Sequence, residues 1–218
     1  MFEDPVAIND DPALHQVPPA PEADAEPPAH PSIPKAFRWA TVDAPELPRR
    51  VALPDTIIDA EPPFALRPML FCGPSGCGKT SLACALLRKW EALNPGRQGV
   101  FMSARRLGVA RMQHGYFRGE APEIARATSA DLLLLDDLGT ECNTSDNAVP
   151  HVIYARYNAG LPTWVTTGIT ASAVTQRYGE GITRRISEAG RVVVFQWRRF
   201  GVATYDFLSP NRLKGAPL

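Results

Sequence analysis

Met69-Leu70-Phe71-Cys72-Gly73-Pro74-Ser75-Gly76-Cys77-Gly78-Lys79-Thr80-Ser81 decides how this chain is to be read. Its first four residues are an apolar run of strand length, and Gly73 to Thr80 match GxxxxGK[ST] in full. Thr80–Leu93 then carries Leu82, Leu86, Leu87 and Trp90 at helical spacing and closes on Asn94-Pro95-Gly96. Strand, glycine-rich loop and helix follow one another as that motif requires. Glycines let such a loop turn its backbone N–H groups inward around phosphate, and the helix N-terminus adds the positive end of its dipole. Gly73, Pro74, Ser75, Gly76, Cys77, Gly78, Lys79, Thr80 and Ser81 are therefore the candidate nucleotide-binding residues. Lys79 is the group expected to reach the β- and γ-phosphates and Thr80 the one expected to coordinate Mg²⁺.

Downstream, short β-rich runs alternate with helical segments, the signature of a parallel sheet with crossover helices. Strands are expected at Met69–Cys72, Gly99–Ser103, Asp131–Asp136, Thr163–Thr167 and Val192–Gln196. Helices are expected at Ala148–Asn158, stopped by Gly160, and in a broken pair at Ala171–Tyr178 and Ile182–Ser187. The third strand reads Leu132-Leu133-Leu134-Leu135-Asp136-Asp137, and its first aspartate lies 57 positions after Lys79. A buried parallel strand that ends in carboxylates delivers them to the carboxyl edge of the sheet, beside the phosphate loop. Asp136 is the candidate Walker B residue, holding Mg²⁺ through water, and Asp137 the candidate that orients or deprotonates an attacking water.

The 23 basic and 23 acidic residues cancel, but unevenly. Residues 1–31 hold seven acids and no Lys or Arg, which leaves the remainder with sixteen acids against 23 bases. That surplus permits a polyanionic partner without requiring one. Nine of the 22 prolines fall within residues 1–34, so residues 1–31 are expected to be a disordered acidic tail, 32–68 a linker and 69–218 the folded core. Cys72, Cys77, Cys84 and Cys142 show neither zinc-ligand spacing nor a disulfide framework, which suits a reduced, cytoplasmic setting. No apolar run approaches the roughly 20 residues of a membrane span, and the acidic, proline-rich start is not expected to act as a leader.

Three phrases together resemble the DnaC/IstB-type family of AAA+ ATPases, the bacterial and phage helicase loaders and transposition helpers. They are Ala130 through Gly139, Thr166-Thr167-Gly168-Ile169-Thr170, and Arg177-Tyr178-Gly179-Glu180-Gly181-Ile182-Thr183-Arg184-Arg185-Ile186. The similarity spans about Ile33 to Phe200, with Phe37-Arg38-Trp39 leading into the core as in loaders. It implies a P-loop AAA+ fold of class α/β with a five-stranded parallel sheet flanked by helices and no C-terminal lid. It further implies ATP with Mg²⁺ as cofactors, homo-oligomeric assembly and no membrane partner. The expected partners are single-stranded DNA and a replicative helicase, or a transposase if the chain is a transposition helper. A third alternative, from another class, is an adaptor in which ATP is bound but not hydrolysed.

The same resemblance assigns roles residue by residue. Arg185 takes the place of the arginine finger that acts on a neighbouring subunit's ATP, whereas Gly181 stands where the family carries another Arg. Gly168 stands where the family ends its fourth strand with a sensor Asn, so Thr167 is the expected substitute hydroxyl and slow hydrolysis the consequence. An inserted helical element between the second strand and Walker B lines a channel for single-stranded DNA in the initiators and loaders. Here Arg105, Arg106, Arg111 and Arg118, with Tyr116 and Phe117, are either such contacts or a solvated helix with two buried aromatics.

Overall fold

The computed structural model describes residues 28–51, 69–114, 118–141, 147–187, 191–197 and 203–208. After a single 3₁₀ turn at Lys35–Phe37 and a short helix α1 (Leu47–Arg50), strands and helices alternate. They are β1 (Met69–Cys72), α2 (Lys79–Leu93), β2 (Gly99–Ser103), α3 (Ala104–Gln113), α4 (Pro122–Ser129), β3 (Leu132–Leu138), α5 (Ala148–Asn158), β4 (Thr163–Thr167), α6 (Ala171–Tyr178), α7 (Glu180–Ser187), β5 (Arg191–Trp197) and β6 (Ala203–Leu208). The sheet order is β2-β3-β4-β1-β5-β6. The first five strands are mutually parallel, as expected, and β6 adds an antiparallel edge against β5.

Side chains alternate across the strands, so each strand feeds two cores. Phe71, Leu132, Leu134, Trp164, Val193 and Phe195 face α2, where Leu82, Leu86, Leu87 and Trp90 complete the layer. Leu70, Leu133, Leu135, Val165, Val192 and Val194 face the opposite way, toward apolar residues of α3, α4, α5, α6 and α7. β1 is thus central and covered on both faces. Its carboxyl end, where the phosphate loop starts, is held from both sides.

The segment expected to be a linker is part of this body over residues 32–51. Ile33, Ala40, Leu47 and Val51 are buried in the same cluster as α2. Polar anchors extend the contact to positions assigned to the tail. His30 is 7% exposed, its Nδ1 accepts the N–H of Ser32 and of Ile33, and its Nε2 lies 2.9 Å from Glu91, a separation for pairing rather than an aligned hydrogen bond. Arg88 donates to Pro28 O and Arg38 O, and Ser32 Oγ accepts the N–H of Phe101 at 2.8 Å. That last bond occupies a backbone donor on β2, the sheet's edge strand, which would otherwise be left open. The folded body therefore begins before residue 32, because a few placed polar groups anchor a stretch whose composition is too proline-rich and apolar-poor to signal it. The remainder of the expected tail, 1–27, and of the linker, 52–68, lies outside the described residues, as do Tyr116 and Phe117.

α4 was not legible in the sequence and depends on one buried cation. Arg156, fully buried on α5, donates from Nη1 to Ala127 O, Thr128 O and Ala130 O, from Nη2 to Pro162 O and from Nε to Thr163 Oγ1. It thereby satisfies carbonyls at the C-terminal end of α4 that the helix itself leaves unpaired. Burial lowers its pKa to about 10, with the Asp131 charge opposing the shift.

Candidate nucleotide site

The phosphate loop leaves β1 at Gly73 with φ 143°, a conformation L side chains rarely adopt. A Cβ there would also stand 2.5 Å from Phe195 O on β5, so the position accepts glycine alone. Gly78, at φ 81°, precedes α2 and provides no side-chain cap, which leaves the first N–H groups of that helix directed at the loop. Pro74, Ser75 and Gly76 are exposed, while Cys77 and Ser81 are buried beneath them.

Lys79 is 6% exposed, and its Nζ donates to Gly73 O at 2.8 Å and Pro74 O at 2.7 Å. Burial pulls its pKa down, against the pull of Cys77, Asp137, Asp136 and Cys72. The Cys77 thiol is pushed up by burial, with Lys79 opposing, so its thiolate is disfavoured and the residue reads as a small filler of the loop.

Asp136, 7% exposed, receives two hydroxyls on one oxygen: Thr80 Oγ1 donates to Oδ1 at 2.8 Å and Thr166 Oγ1 donates to it at 2.6 Å. Burial raises the Asp136 pKa, the two hydroxyls and Lys79 work against it, and the Asp137 carboxylate reinforces it. A hydroxyl from the helix start and a carboxylate from the strand end, in contact, form the hard-oxygen pair that suits Mg²⁺ when phosphates and water complete its shell. Among the described residues no cluster of three or more His, Cys, Asp and Glu is placed to hold a metal ion.

β3 does not stop at the aspartate pair. Asp137 takes φ 57°, the left-handed region, and the pairing with β4 slips between Leu135 and Leu138. This bulge turns the Asp137 side chain into solvent while Asp136 stays buried. Backbone strain of this kind costs about 1–3 kcal/mol and persists only where surroundings enforce it. Here Asp137 N donates to Thr166 Oγ1 at 3.0 Å, and Asp137 O accepts from Thr140 N and Oγ1.

The hydroxyl that meets both aspartates belongs to Thr166. The expected residue, Thr167, donates to Leu138 O at 2.8 Å and accepts Ile169 N, fully buried on the other side of the strand. Successive residues of a strand point to opposite faces, so only one of the two threonines can reach Walker B. Gly168 does sit beside the loop: among the described residues a Cβ there would have only Ser75 Oγ nearby, at 3.8 Å.

Arg185 makes no contact with its own phosphate loop. Its Nη1 donates to Gly181 O at 2.9 Å and its guanidinium lies over the rings of Tyr154 and Tyr157 on α5. The Arg177-Tyr178 pair of the family-like phrase engages Glu141, which also accepts Gly139 N, and so ties α6 to the turn after Walker B. Of the four arginines considered for DNA, Arg106 lies 3.6 Å from Glu123 and Arg111 pairs with Glu120, whereas Arg105 and Arg118 are exposed. Burial raises the Glu120 pKa, but Arg111 and the Ala121 N–H outweigh it and hold the carboxyl below its usual range. These four are not gathered at the phosphate loop.

No family model and no curated protein matches the chain. Solved structures do. The DnaC helicase loader is 26% identical with a TM-score of 0.54, over 65% of this chain and 85% of that one. DnaI is 19% identical with a TM-score of 0.50, over 64% and 76%. The replication initiator DnaA bound to AMPPCP and single-stranded DNA is 19% identical with a TM-score of 0.51, over 66% of this chain but 44% of that one. The last two likenesses speak for the fold. No helix among the described residues is long and apolar enough to cross a membrane. By its motifs and by its structure, this chain is similar to the DnaC-type AAA+ proteins.

Proposed function

We propose that this chain binds ATP with Mg²⁺, hydrolyses it slowly within an assembly of its own copies in the cytoplasm, and helps place a replicative helicase on single-stranded DNA. The observation that carries the reading is the contact of Thr80, Asp136 and Thr166 at the mouth of the phosphate loop, on a fold similar to the DnaC helicase loader. Bound Mg²⁺ would draw charge from the transferring phosphoryl group. Lys79 would exchange its loop carbonyls for phosphate oxygens, Thr80 and Asp136 would hold the metal, and Asp137, exposed at the bulge, would take a proton from water. Arg185 would complete the site of a second copy, where a guanidinium offsets charge on the phosphoryl oxygens.

ATP binding followed by calorimetry tests the site. Lys79→Ala should abolish it without lowering the unfolding midpoint, and unchanged affinity would overturn the assignment. Capture of partners on the full chain tests the role, with a replicative helicase expected and a transposase pointing to the helper reading.

The non-hydrolysing adaptor is favoured by two observations, Gly168 beside Ser75 and the Thr167 hydroxyl turned to Leu138 O. Phosphate release with and without single-stranded DNA separates it from the ATPase, since an adaptor releases none in either case.

A further inference from the structure

Arg185 is a cation whose surroundings are built from π faces instead of carboxylates. Its guanidinium carbon lies 4.2 Å from the centre of the Tyr154 ring and 4.8 Å from that of Tyr157, one helical turn further along α5. The two rings are 39% and 42% exposed, among the few large apolar groups the described surface leaves open. Among the described residues no acid pairs with Arg185; its one hydrogen bond, from Nη1, goes to Gly181 O on its own helix. Cation–π contacts restrain a guanidinium without using its N–H donors or cancelling its charge. Such an arginine keeps one orientation and keeps its capacity for an anion.

Gly181 makes the arrangement possible. A Cβ at that position would stand 2.8 Å from Tyr154 Oη and 3.6 Å from Arg185 Nη1. The glycine that departs from the family pattern is thus where the tip of Tyr154 is seated, and a long side chain in its place would contend with the tyrosine for that space.

We propose that Tyr154 and Tyr157 are positioning residues that hold Arg185 ready for a phosphate group carried by a second copy of this chain. The inference rests on the reading of Arg185 as a residue acting between copies and deepens it. The rings fix the guanidinium before assembly, so less side-chain freedom is lost when the copies meet. A finger left to wander would arrive misplaced, and misplacement by about 1 Å costs roughly a hundredfold in rate.

The test uses the full-length protein with two double variants, Tyr154→Leu/Tyr157→Leu and Tyr154→Phe/Tyr157→Phe, beside Arg185→Ala. Phosphate release at saturating ATP, KM for ATP, and self-association with AMPPCP and Mg²⁺ by sedimentation velocity are measured for each. The leucine pair should lower kcat by about tenfold to a hundredfold, leave KM within about twofold, and weaken AMPPCP-dependent self-association as Arg185→Ala does. The phenylalanine pair, which keeps both ring faces, should match the parent in all three. The Arg185 Nε–H resonance should carry a ring-current shift in the parent and the phenylalanine pair and lose it in the leucine pair. If Arg185→Ala lowers kcat or self-association while the leucine pair does neither, the platform is overturned and the finger stands. If the phenylalanine pair fails as the leucine pair does, ring faces are not what positions the arginine. If Arg185→Ala changes neither readout, the finger reading falls and the platform falls with it.

Discussion

Thr166 donates to Asp136 at 2.6 Å and through the same oxygen receives the N–H of Asp137 at 3.0 Å. One hydroxyl on β4 therefore fixes both the buried carboxylate and the strained backbone that turns the second carboxylate outward. Removing it as Thr166→Val leaves a buried acceptor and a buried donor short of a partner. Loss of about 1–3 kcal/mol in stability is expected from that alone, together with a fall in hydrolysis because Asp137 loses its fixed position. Thr167→Val should cost stability alone, since its hydroxyl serves Leu138 O. Chemical unfolding and phosphate release on the two variants check this. A kcat that falls for Thr167→Val and not for Thr166→Val would return the sensor role to Thr167.

Among the described residues Gly168 has space where the family pattern carries an amide, since a Cβ there would meet Ser75 Oγ alone, 3.8 Å away. Gly168→Asn should therefore fold normally and raise phosphate release, by about tenfold or more if the amide gains the reacting water, in view of what a single placed donor contributes elsewhere. An unchanged rate in a well-folded variant would show that the missing amide does not limit hydrolysis.

Burial holds the Asp136 pKa above its unfolded value. A carboxyl so shifted favours the fold fully at pH below its unfolded pKa, and that contribution is lost as pH rises through the raised folded value. Nucleotide-free Asp136→Asn should hence have a higher unfolding midpoint than the parent at pH 7, with the gap narrowing toward pH 4. ATP with Mg²⁺ should stabilise the parent and not the variant. A midpoint below the parent's at pH 7 would mean that attraction to Lys79 outweighs desolvation.

Arg156→Met should destabilise by about 3 kcal/mol or more, because the carbonyls of Ala127, Thr128 and Ala130 lose this donor inside the core. Hydrogen exchange should show α4 opening first. Protection of α4 equal to the parent's would remove Arg156 as its anchor.

His30→Ala should lower stability by about 1–3 kcal/mol, as the N–H groups of Ser32 and Ile33 lose their acceptor. Ile33→Ala should cost about 2–5 kcal/mol, the range for truncating a buried isoleucine. Thermal unfolding at one pH compares them with the parent, and no shift for either would put residues 28–33 outside the cooperative unit.

How much could be read before folding depended on whether the information was local. The phosphate loop, the five parallel strands and the Asp136-Asp137 pair were legible because turn glycines, apolar periodicity and motif spacing act over a few consecutive residues. α4 and the docking of residues 28–33 were not, because each rests on partners far along the chain: Arg156 for α4, and Glu91 and Phe101 for His30 and Ser32. β6 was not legible either, although its partner β5 is the strand just before it. The choice between Thr166 and Thr167 shows the boundary most sharply. Sequence delivered two adjacent hydroxyls at the end of one strand, and the alternation of a pleated sheet guaranteed that only one would face Asp136. Which one was set by the pairing of β4 with β3 and the bulge at Asp137, and that register exists only once the strands lie side by side.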